Sequence, residues 1–259
     1  MFSKRIDYID RIHIWLDTNR SVFDQNTIKA IASDGTRIKV EIKPMSDFQP
    51  EWRQKIELLQ PTKKALKIID DTIAAAQCGY IVNRIELTVD YLTKNQDNAD
   101  VLHAHIAQSL FHKSGKKYHY SNDYKTWKRP GTSYFADQTK HKVIPVVYSS
   151  KRSKIAKKPC CHIEYRFIGK TACARKGFTT IRHLLDCDIV ETIKENVSFD
   201  KRPSKHEIGM AVRVKQDGSI TRRGYEKLCD SFWKKRRTRL EGMMDGHTEE
   251  DISVADKYP

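Results

Sequence analysis

The sequence predicts an α+β protein in which an antiparallel sheet is flanked by helices and followed by a basic helical C-terminal segment. Three observations lead to this prediction. Several segments alternate apolar and polar residues with the two-residue period of a half-buried strand. Between them lie segments whose apolar residues recur at helical spacing. From about residue 200 onward the composition becomes strongly basic.

The predicted strands follow from this alternation, and the strongest is YIVNRIELTVDYL over 80–92. The others run from residue 6 to a little beyond residue 13, and over 37–43, 54–60, 131–136, 143–150 and 160–169. An aromatic and polar stretch over 116–127 is expected to be extended.

Helices are predicted where apolar residues recur every three to four positions. The first begins near Pro61, which a first helical turn tolerates, and Gly79 is expected to end it. The second covers 97–113, with Asp97 or Asn98 as its N-cap. Two short helical segments complete the set, at 177–186 and 188–198.

The chain is expected to divide into three parts, one α+β domain over 1–198, a basic helical segment over 199–240 and a flexible tail over 241–259. Residues 201–240 contain 13 Lys or Arg but only four acidic residues. The tail is acidic and rich in small residues, which is typical of a loose terminus.

Charge is the most informative property of the composition. The chain has 48 Lys or Arg against 33 Asp or Glu, a net charge of +15, which favours a polyanionic partner such as nucleic acid. No apolar run approaches the roughly 20 residues of a membrane helix, and the charged first residues do not resemble a secretory signal. The six cysteines include no CxxC pair, so we expect reduced thiols and a cytoplasmic protein.

The first candidate site is RIELTVDY at 84–91. Side chains alternate across a strand, so Glu86, Thr88 and Asp90 are predicted to share one face. Two carboxylates placed in this way suit a hard divalent cation such as Mg²⁺ or Mn²⁺. The same pattern also fits the solvated face of an antiparallel sheet.

The second candidate site is HIEYRF at 162–167, where His162, Glu164 and Arg166 share one strand face. The histidine and the carboxylate could hold a metal, and Arg166 could bind a phosphate. If the two acidic strands are neighbours, then Glu86, Asp90, His162 and Glu164 form one metal site for phosphoryl transfer. The alternative is again a polar sheet face. His103 and His105 are interpreted as surface histidines of a helix, because residues two apart point away from each other there.

Tyrosines are candidate nucleophiles, because a tyrosine can attack a DNA phosphate and form a covalent phosphotyrosine. Tyr225 lies among the basic residues Arg222, Arg223 and Lys227, which would attract a phosphate and favour a phenolate. Tyr148 is the rival, since it ends a strand and precedes two lysines, Lys151 and Lys154.

A basic cluster follows Tyr225 in the predicted C-terminal helix. It combines an aromatic ring with four consecutive cations, a combination that suits a DNA backbone and an exposed base. Its residues are Trp233, Lys234, Lys235, Arg236 and Arg237. A solvated basic surface is the alternative.

RIELTVDY, GTSYFA, VVYSSKRSK and HIEYRFIGKTA occur in an order that resembles the replication initiation factor family, the rolling-circle initiators of small plasmids and filamentous phages. The resemblance covers about 80–175. It implies that Glu86 and Asp90 are the first acidic pair of the family and that Glu164 is its later metal-binding glutamate. In the family the catalytic tyrosine follows this glutamate toward the C-terminus, which implies Tyr225.

The resemblance implies a DNA replication initiator that nicks and rejoins one strand through a tyrosine–DNA intermediate, with Mg²⁺ or Mn²⁺ as cofactor. The implied partners are origin DNA, single-stranded or extruded, together with a host helicase and polymerase. Two alternatives stay open from the residues alone. One is a non-catalytic DNA-binding protein such as a repressor or packaging factor, and the other is an RNA-binding protein or ribonuclease.

Overall fold

The computed structural model describes residues 2–112, 120–121, 132–136 and 141–199, and these form ten strands and six helices. The strands are β1 (Lys4–Leu16), β2 (Arg37–Ile42), β3 (Gln54–Leu59), β4 (Tyr80–Leu92), β5 (Leu110–His112), β6 (Tyr120–Ser121), β7 (Ser133–Tyr134), β8 (Val143–Tyr148), β9 (Cys160–Ile168) and β10 (Val197–Phe199). The helices are α1 (Gln25–Ala32), α2 (Lys63–Ala76), α3 (Gln96–Ser109), α4 (Lys170–Arg175), α5 (Ile181–Leu185) and α6 (Ile189–Asn196).

Eight strands form one antiparallel sheet in the order β2-β3-β1-β4-β9-β8-β7-β6, and β5 pairs with β10 in a second, two-stranded sheet. The protein is therefore α+β with an antiparallel sheet, as the alternation predicted. The predicted basic helical C-terminal segment and the tail lie outside the described residues. The domain boundaries consequently stay predictions.

One face of the large sheet is covered by helices. Ile85, Leu87 and Val89 of β4 belong to a core cluster to which each of the six helices contributes buried apolar side chains. The opposite face of the same strand carries Glu86 and Asp90. This two-layer arrangement follows from the two-residue period, because every second residue of a central strand points away from the helices.

Helix α2 is the helix that the apolar spacing predicted after Pro61. The Thr62 side chain accepts a hydrogen bond from the Ala65 backbone, which caps the first turn, and Ile69 packs completely buried against the sheet. The predicted termination at Gly79 is wrong, since Gln77 adopts the left-handed conformation (φ 52°) at the helix end. Gly79 instead allows the Asp17 carboxylate to approach its backbone, because a Cβ there would lie 2.5 Å from Asp17.

Helix α3 begins earlier and ends earlier than the sequence predicted. The Asn95 side chain accepts a hydrogen bond from the Asn98 backbone at 2.9 Å, so Asn95 takes the capping role expected of Asp97 or Asn98. Residues 110–112 leave the helix to pair with β10. His103 is buried and lies 3.1 Å from the Ser133 hydroxyl, so it is not a surface histidine.

Two irregularities interrupt the pairing of β1 with β4. Ile9 pairs with Leu87 but Arg11 pairs with Glu86, which leaves Asp10 as an extra residue on β1. Further along, His13 pairs with Arg84 but Ile14 pairs with Val82, which leaves an extra residue on β4. Such β-bulges change which face the following side chains occupy.

The described part of the chain shows neither a disulfide nor a membrane-spanning helix. The five described cysteines, Cys78, Cys160, Cys161, Cys173 and Cys187, are free thiols. Within the described ranges, no helix combines the length and the apolar character needed to cross a membrane.

The Ile69→Ala variant is expected to lose about 2–5 kcal/mol of unfolding free energy, because it leaves a cavity between α2 and the sheet. Chemical denaturation measures the change. The control is Val101→Ala on α3, where the side chain is exposed and a change within about 0.5 kcal/mol is expected. Equal losses in the two variants would contradict the assigned core.

Candidate active site

The two acidic strands of the sequence analysis are neighbours in the sheet. Strand β4 pairs with β9 so that Thr88 faces Glu164 and Asp90 faces His162. Glu86, Asp90, His162 and Glu164 therefore lie on the sheet face opposite the helices. The sequence left this adjacency open.

A third carboxylate joins this face from β1. The bulge at Asp10 brings its carboxylate to Glu86 and Glu164, with one oxygen of each residue within 4.8 Å of the others. All three side chains are buried, at 1%, 3% and 2% exposure. We call Asp10, Glu86 and Glu164 the carboxylate cluster.

Each member of the carboxylate cluster contacts a cationic side chain. Lys154 donates to Asp10, and Arg166 donates to Glu164. Arg84 donates through Nε to Glu86 Oε1 at 2.7 Å. These contacts are required, because an unpaired charge at this depth would cost several kcal/mol.

The carboxylate cluster lies in a pocket of about 310 Å³ on the sheet face opposite the helices. Five cationic side chains line the pocket: Arg11, Arg84, Lys151, Lys154 and Arg166. Thr132, Tyr134 and Tyr148 complete the lining. Acidic groups surrounded by cations suit a ligand that brings a metal ion together with a phosphodiester.

Tyr148, the rival nucleophile of the sequence analysis, reaches the carboxylate cluster. Its hydroxyl donates to Glu164 Oε2 at 3.0 Å, and its ring stacks on His162 with centroids 4.4 Å apart. Burial, and then the charge of Glu164, raises the pKa of this hydroxyl far above its usual range. The tyrosine is therefore neutral unless a cation offsets the negative charge beside it.

Asp90 and His162 belong to a second cluster rather than to the carboxylate cluster. His162 Nδ1 lies 2.6 Å from Asp90 Oδ1, and His162 Nε2 lies 3.2 Å from Cys160 Sγ. The Lys151 carbonyl oxygen lies 2.9 Å from the same Nε2, and the three side chains are fully buried. The four residues that the sequence combined in one metal site are thus divided between two clusters, and their metal-binding roles stay predictions.

The carboxylate cluster fits a hard divalent cation by the chemistry of its donors, since carboxylate oxygens are the ligands that Mg²⁺ and Mn²⁺ prefer. The Thr88 hydroxyl supports this fit. It is buried between Glu86 and Asp90 on β4 and has no hydrogen-bond partner within the described part of the chain. A coordinated water would satisfy such a group.

The predicted DNA-binding residues fall into two sets. Lys151, Lys154 and Arg166 line the pocket. The C-terminal set lies outside the described residues, and its roles stay predictions: Arg222, Arg223, Tyr225, Lys227, Trp233, Lys234, Lys235, Arg236 and Arg237.

Sequence reasoning missed Asp10, Arg11 and Arg84. Strict alternation along β1 does not place Asp10 with Glu86, because the bulge shifts the register there. Arg84 shares a face with Glu86 by alternation, so counting two residues back from Glu86 would have found it.

Comparisons with known proteins add little. No protein-family model matches the chain, and no curated protein matches it. The solved rolling-circle replication initiator protein from Geobacillus stearothermophilus is similar with a TM-score of 0.44 and 9% identity, over 78% of this chain and 89% of that one. The regulatory subunit of aspartate kinase from Thermus flavus gives a TM-score of 0.22 and 10% identity, over 72% of this chain and 99% of that one. Similarity at this level decides neither the family nor the function of the chain.

The Asp10→Asn variant is expected to bind Mn²⁺ roughly tenfold more weakly or worse, because it removes one negative charge from the carboxylate cluster. Isothermal titration calorimetry measures the affinity. Asp7→Asn is the control, since Asp7 lies on the same strand but is exposed at 42% and pairs with Arg5. Equal affinities in Asp10→Asn and the unmodified protein would remove Asp10 from the metal site.

Proposed function

We propose that this protein is a DNA replication initiator that nicks and rejoins one strand at an origin, using a divalent cation and a covalent tyrosine intermediate. The observation that carries the proposal is the carboxylate cluster buried in a pocket with five cationic side chains. The net charge of +15 and the order of motifs in the sequence point to the same substrate.

The metal is proposed to be held by Asp10, Glu86 and Glu164. Mg²⁺ or Mn²⁺ bound there would polarise the scissile phosphate and neutralise charge on its oxygens. In the neighbouring cluster, His162 is proposed to fix the Tyr148 ring by stacking and Asp90 to hold His162, and neither is proposed to bind this ion.

The basic side chains of the pocket are proposed to bind the DNA backbone. Lys154, Arg84 and Arg166 now neutralise the carboxylate cluster. With an ion held at the carboxylates, the same cations would be free to pair with phosphate oxygens, since charge-assisted contacts to phosphate are strong. The Lys151 amino group (Nζ) lies 6.0 Å from the centre of the Tyr148 ring and would hold the phosphate near the nucleophile.

Tyr148 is the nucleophile that we propose, because its hydroxyl already contacts the carboxylate cluster. Glu164 Oε2 accepts the phenol proton as Tyr148 Oη forms a bond to phosphorus. The phosphorus bond to the 3′ oxygen breaks, and that oxygen leaves as a hydroxyl after taking a proton from solvent. A polymerase could extend this end, and reversal of the attack would rejoin the strand.

The proposed setting is the cytoplasm, with origin DNA as substrate in a single-stranded or extruded form. A host helicase and polymerase would act on the opened strand. The basic C-terminal residues from Arg222 to Arg237 would add contacts to the DNA backbone.

Glu164→Gln is expected to lower DNA cleavage roughly 100-fold or more, since the amide neither accepts the phenol proton nor carries the charge that holds the metal. Binding of labelled single-stranded DNA, measured by fluorescence anisotropy, is expected to change less than about threefold, because phosphate contacts come from the cations.

The control is Glu41→Gln on β2, which removes a charge from the same sheet face outside the pocket, where Glu41 pairs with Lys39 and Lys43, and it is expected to retain cleavage. If Glu164→Gln lost binding and cleavage to the same extent, the metal and base roles of Glu164 would be refuted.

A covalent adduct is expected when the protein is incubated with a randomised single-stranded DNA library and Mn²⁺, and it should survive denaturant. We expect Tyr148→Phe to abolish the adduct, and Tyr225→Phe to retain it. Tyr8→Phe is the structural control, because Tyr8 is a partly buried tyrosine that donates to Asp90 at 3.2 Å rather than to the carboxylate cluster.

An adduct lost only in Tyr225→Phe would overturn the assignment of Tyr148 and keep the enzyme. Absence of any adduct on this library and on supercoiled DNA, despite tight binding, would overturn the covalent mechanism.

A non-catalytic DNA-binding protein, such as a repressor or packaging factor, is the second candidate. The observation that favours it is that every member of the carboxylate cluster already has a basic partner within the chain, as in a structural ion-pair network. Such a protein needs no divalent ion, so DNA binding unchanged by chelation, together with no cleavage, would identify it.

A further inference from the structure

We propose that Cys160, His162 and the Lys151 backbone carbonyl form a zinc site, separate from the carboxylate cluster. Three potential ligand atoms form a closed triangle there. His162 Nε2 lies 3.2 Å from Cys160 Sγ and 2.9 Å from the Lys151 carbonyl oxygen, and Sγ lies 3.7 Å from that oxygen.

These separations approach the edges of a tetrahedral zinc site. With zinc bonds of about 2.0 Å to nitrogen, 2.1 Å to oxygen and 2.3 Å to sulfur, the ligand atoms of a tetrahedron lie roughly 3.3–3.6 Å apart. The observed distances differ from those values by a few tenths of an ångström. A small movement of the side chains would therefore seat the ion, and a water molecule would supply the fourth ligand.

Asp90 gives His162 the carboxylate hydrogen-bond partner that zinc-bound histidines usually have. Its Oδ1 lies 2.6 Å from His162 Nδ1, so the carboxylate orients the ring and keeps Nε2 directed at the other two ligand atoms. Tyr8 in turn donates to Asp90 Oδ2 at 3.2 Å, which fixes the carboxylate.

The donor chemistry separates this site from the carboxylate cluster. Imidazole nitrogen and thiolate sulfur suit zinc, whereas three carboxylates suit Mg²⁺ or Mn²⁺. The charges also balance, because a zinc ion, one thiolate and one carboxylate sum to zero in a site whose three side chains are fully buried. On binding, the Cys160 thiol proton and the hydrogen on Nε2 pass to solvent.

Zinc here would fasten the loop between β8 and β9 to the sheet. Lys151 supplies a ligand from this loop, while Cys160 and His162 supply theirs from β9. The same loop carries the amino groups of Lys151 and Lys154 into the pocket. The proposal stands independently of the nicking activity, since zinc content is measured without DNA.

The test is the zinc content of the full-length chain purified without chelator, measured by plasma mass spectrometry, where about one zinc per chain is expected. Cys160→Ser should lose the zinc. Cys161→Ser is the matched control, because Cys161 is the adjacent, equally buried cysteine but faces the helix-covered core, and it should retain the zinc.

Cobalt replacement identifies the ligand. A thiolate ligand gives Co²⁺-loaded protein a charge-transfer absorption in the near ultraviolet. We expect this absorption in the unmodified chain and in Cys161→Ser and Glu164→Gln. We expect it to be absent in Cys160→Ser. Asp90→Asn keeps all three ligand atoms and should weaken zinc binding about 10–100-fold.

The proposal would be overturned if the chain remained free of zinc after incubation with zinc. It would also be overturned if Cys160→Ser and Cys161→Ser had equal zinc content and equal cobalt spectra. Zinc that is lost in Glu164→Gln but kept in Cys160→Ser would also overturn it, because the ion would then belong to the carboxylate cluster.

Discussion

The pairing of β4 with β9 is the contact on which the polar face of this protein depends. These central strands place Thr88 opposite Glu164 and Asp90 opposite His162. The same register therefore places residues of both polar clusters next to each other. A slip by one residue would move Glu86 and Asp90 into the helix-covered core and Leu87 to the opposite face. The buried apolar residues of β4 oppose such a slip, because it would move them out from under the helices.

Burying three carboxylates together makes the carboxylate cluster costly unless positive charge lies beside it. The chain supplies that charge from three strands and a loop, through Arg11, Arg84, Lys154 and Arg166. The same basic side chains could pair with the carboxylates and then with a phosphodiester, since a divalent cation would replace them at the carboxylates. Such an exchange would let the site be stable without substrate and still bind a polyanion.

Tyr148 connects the two clusters. Its hydroxyl contacts Glu164 in the carboxylate cluster, while its ring stacks on His162 in the other. A rigid stacked ring loses little conformational entropy when it is held for reaction, which is useful for a nucleophile. Tyr148 thus has the carboxylate cluster on the side of its hydroxyl and the imidazole of His162 against the face of its ring.

The fold class, the bounds of β4, the common face of Glu86 and Asp90, and the common face of His162 and Glu164 could all be predicted from the sequence. Each of them follows from a local two-residue period. The place of Asp10 in the carboxylate cluster depends on the folded sheet, since the bulge that puts it there arises from the pairing of β1 with β4. The early end of α3 likewise depends on the pairing of β5 with β10. The division into two clusters also needed the structure, because periodicity assigns a face to a side chain but not its neighbours across strands.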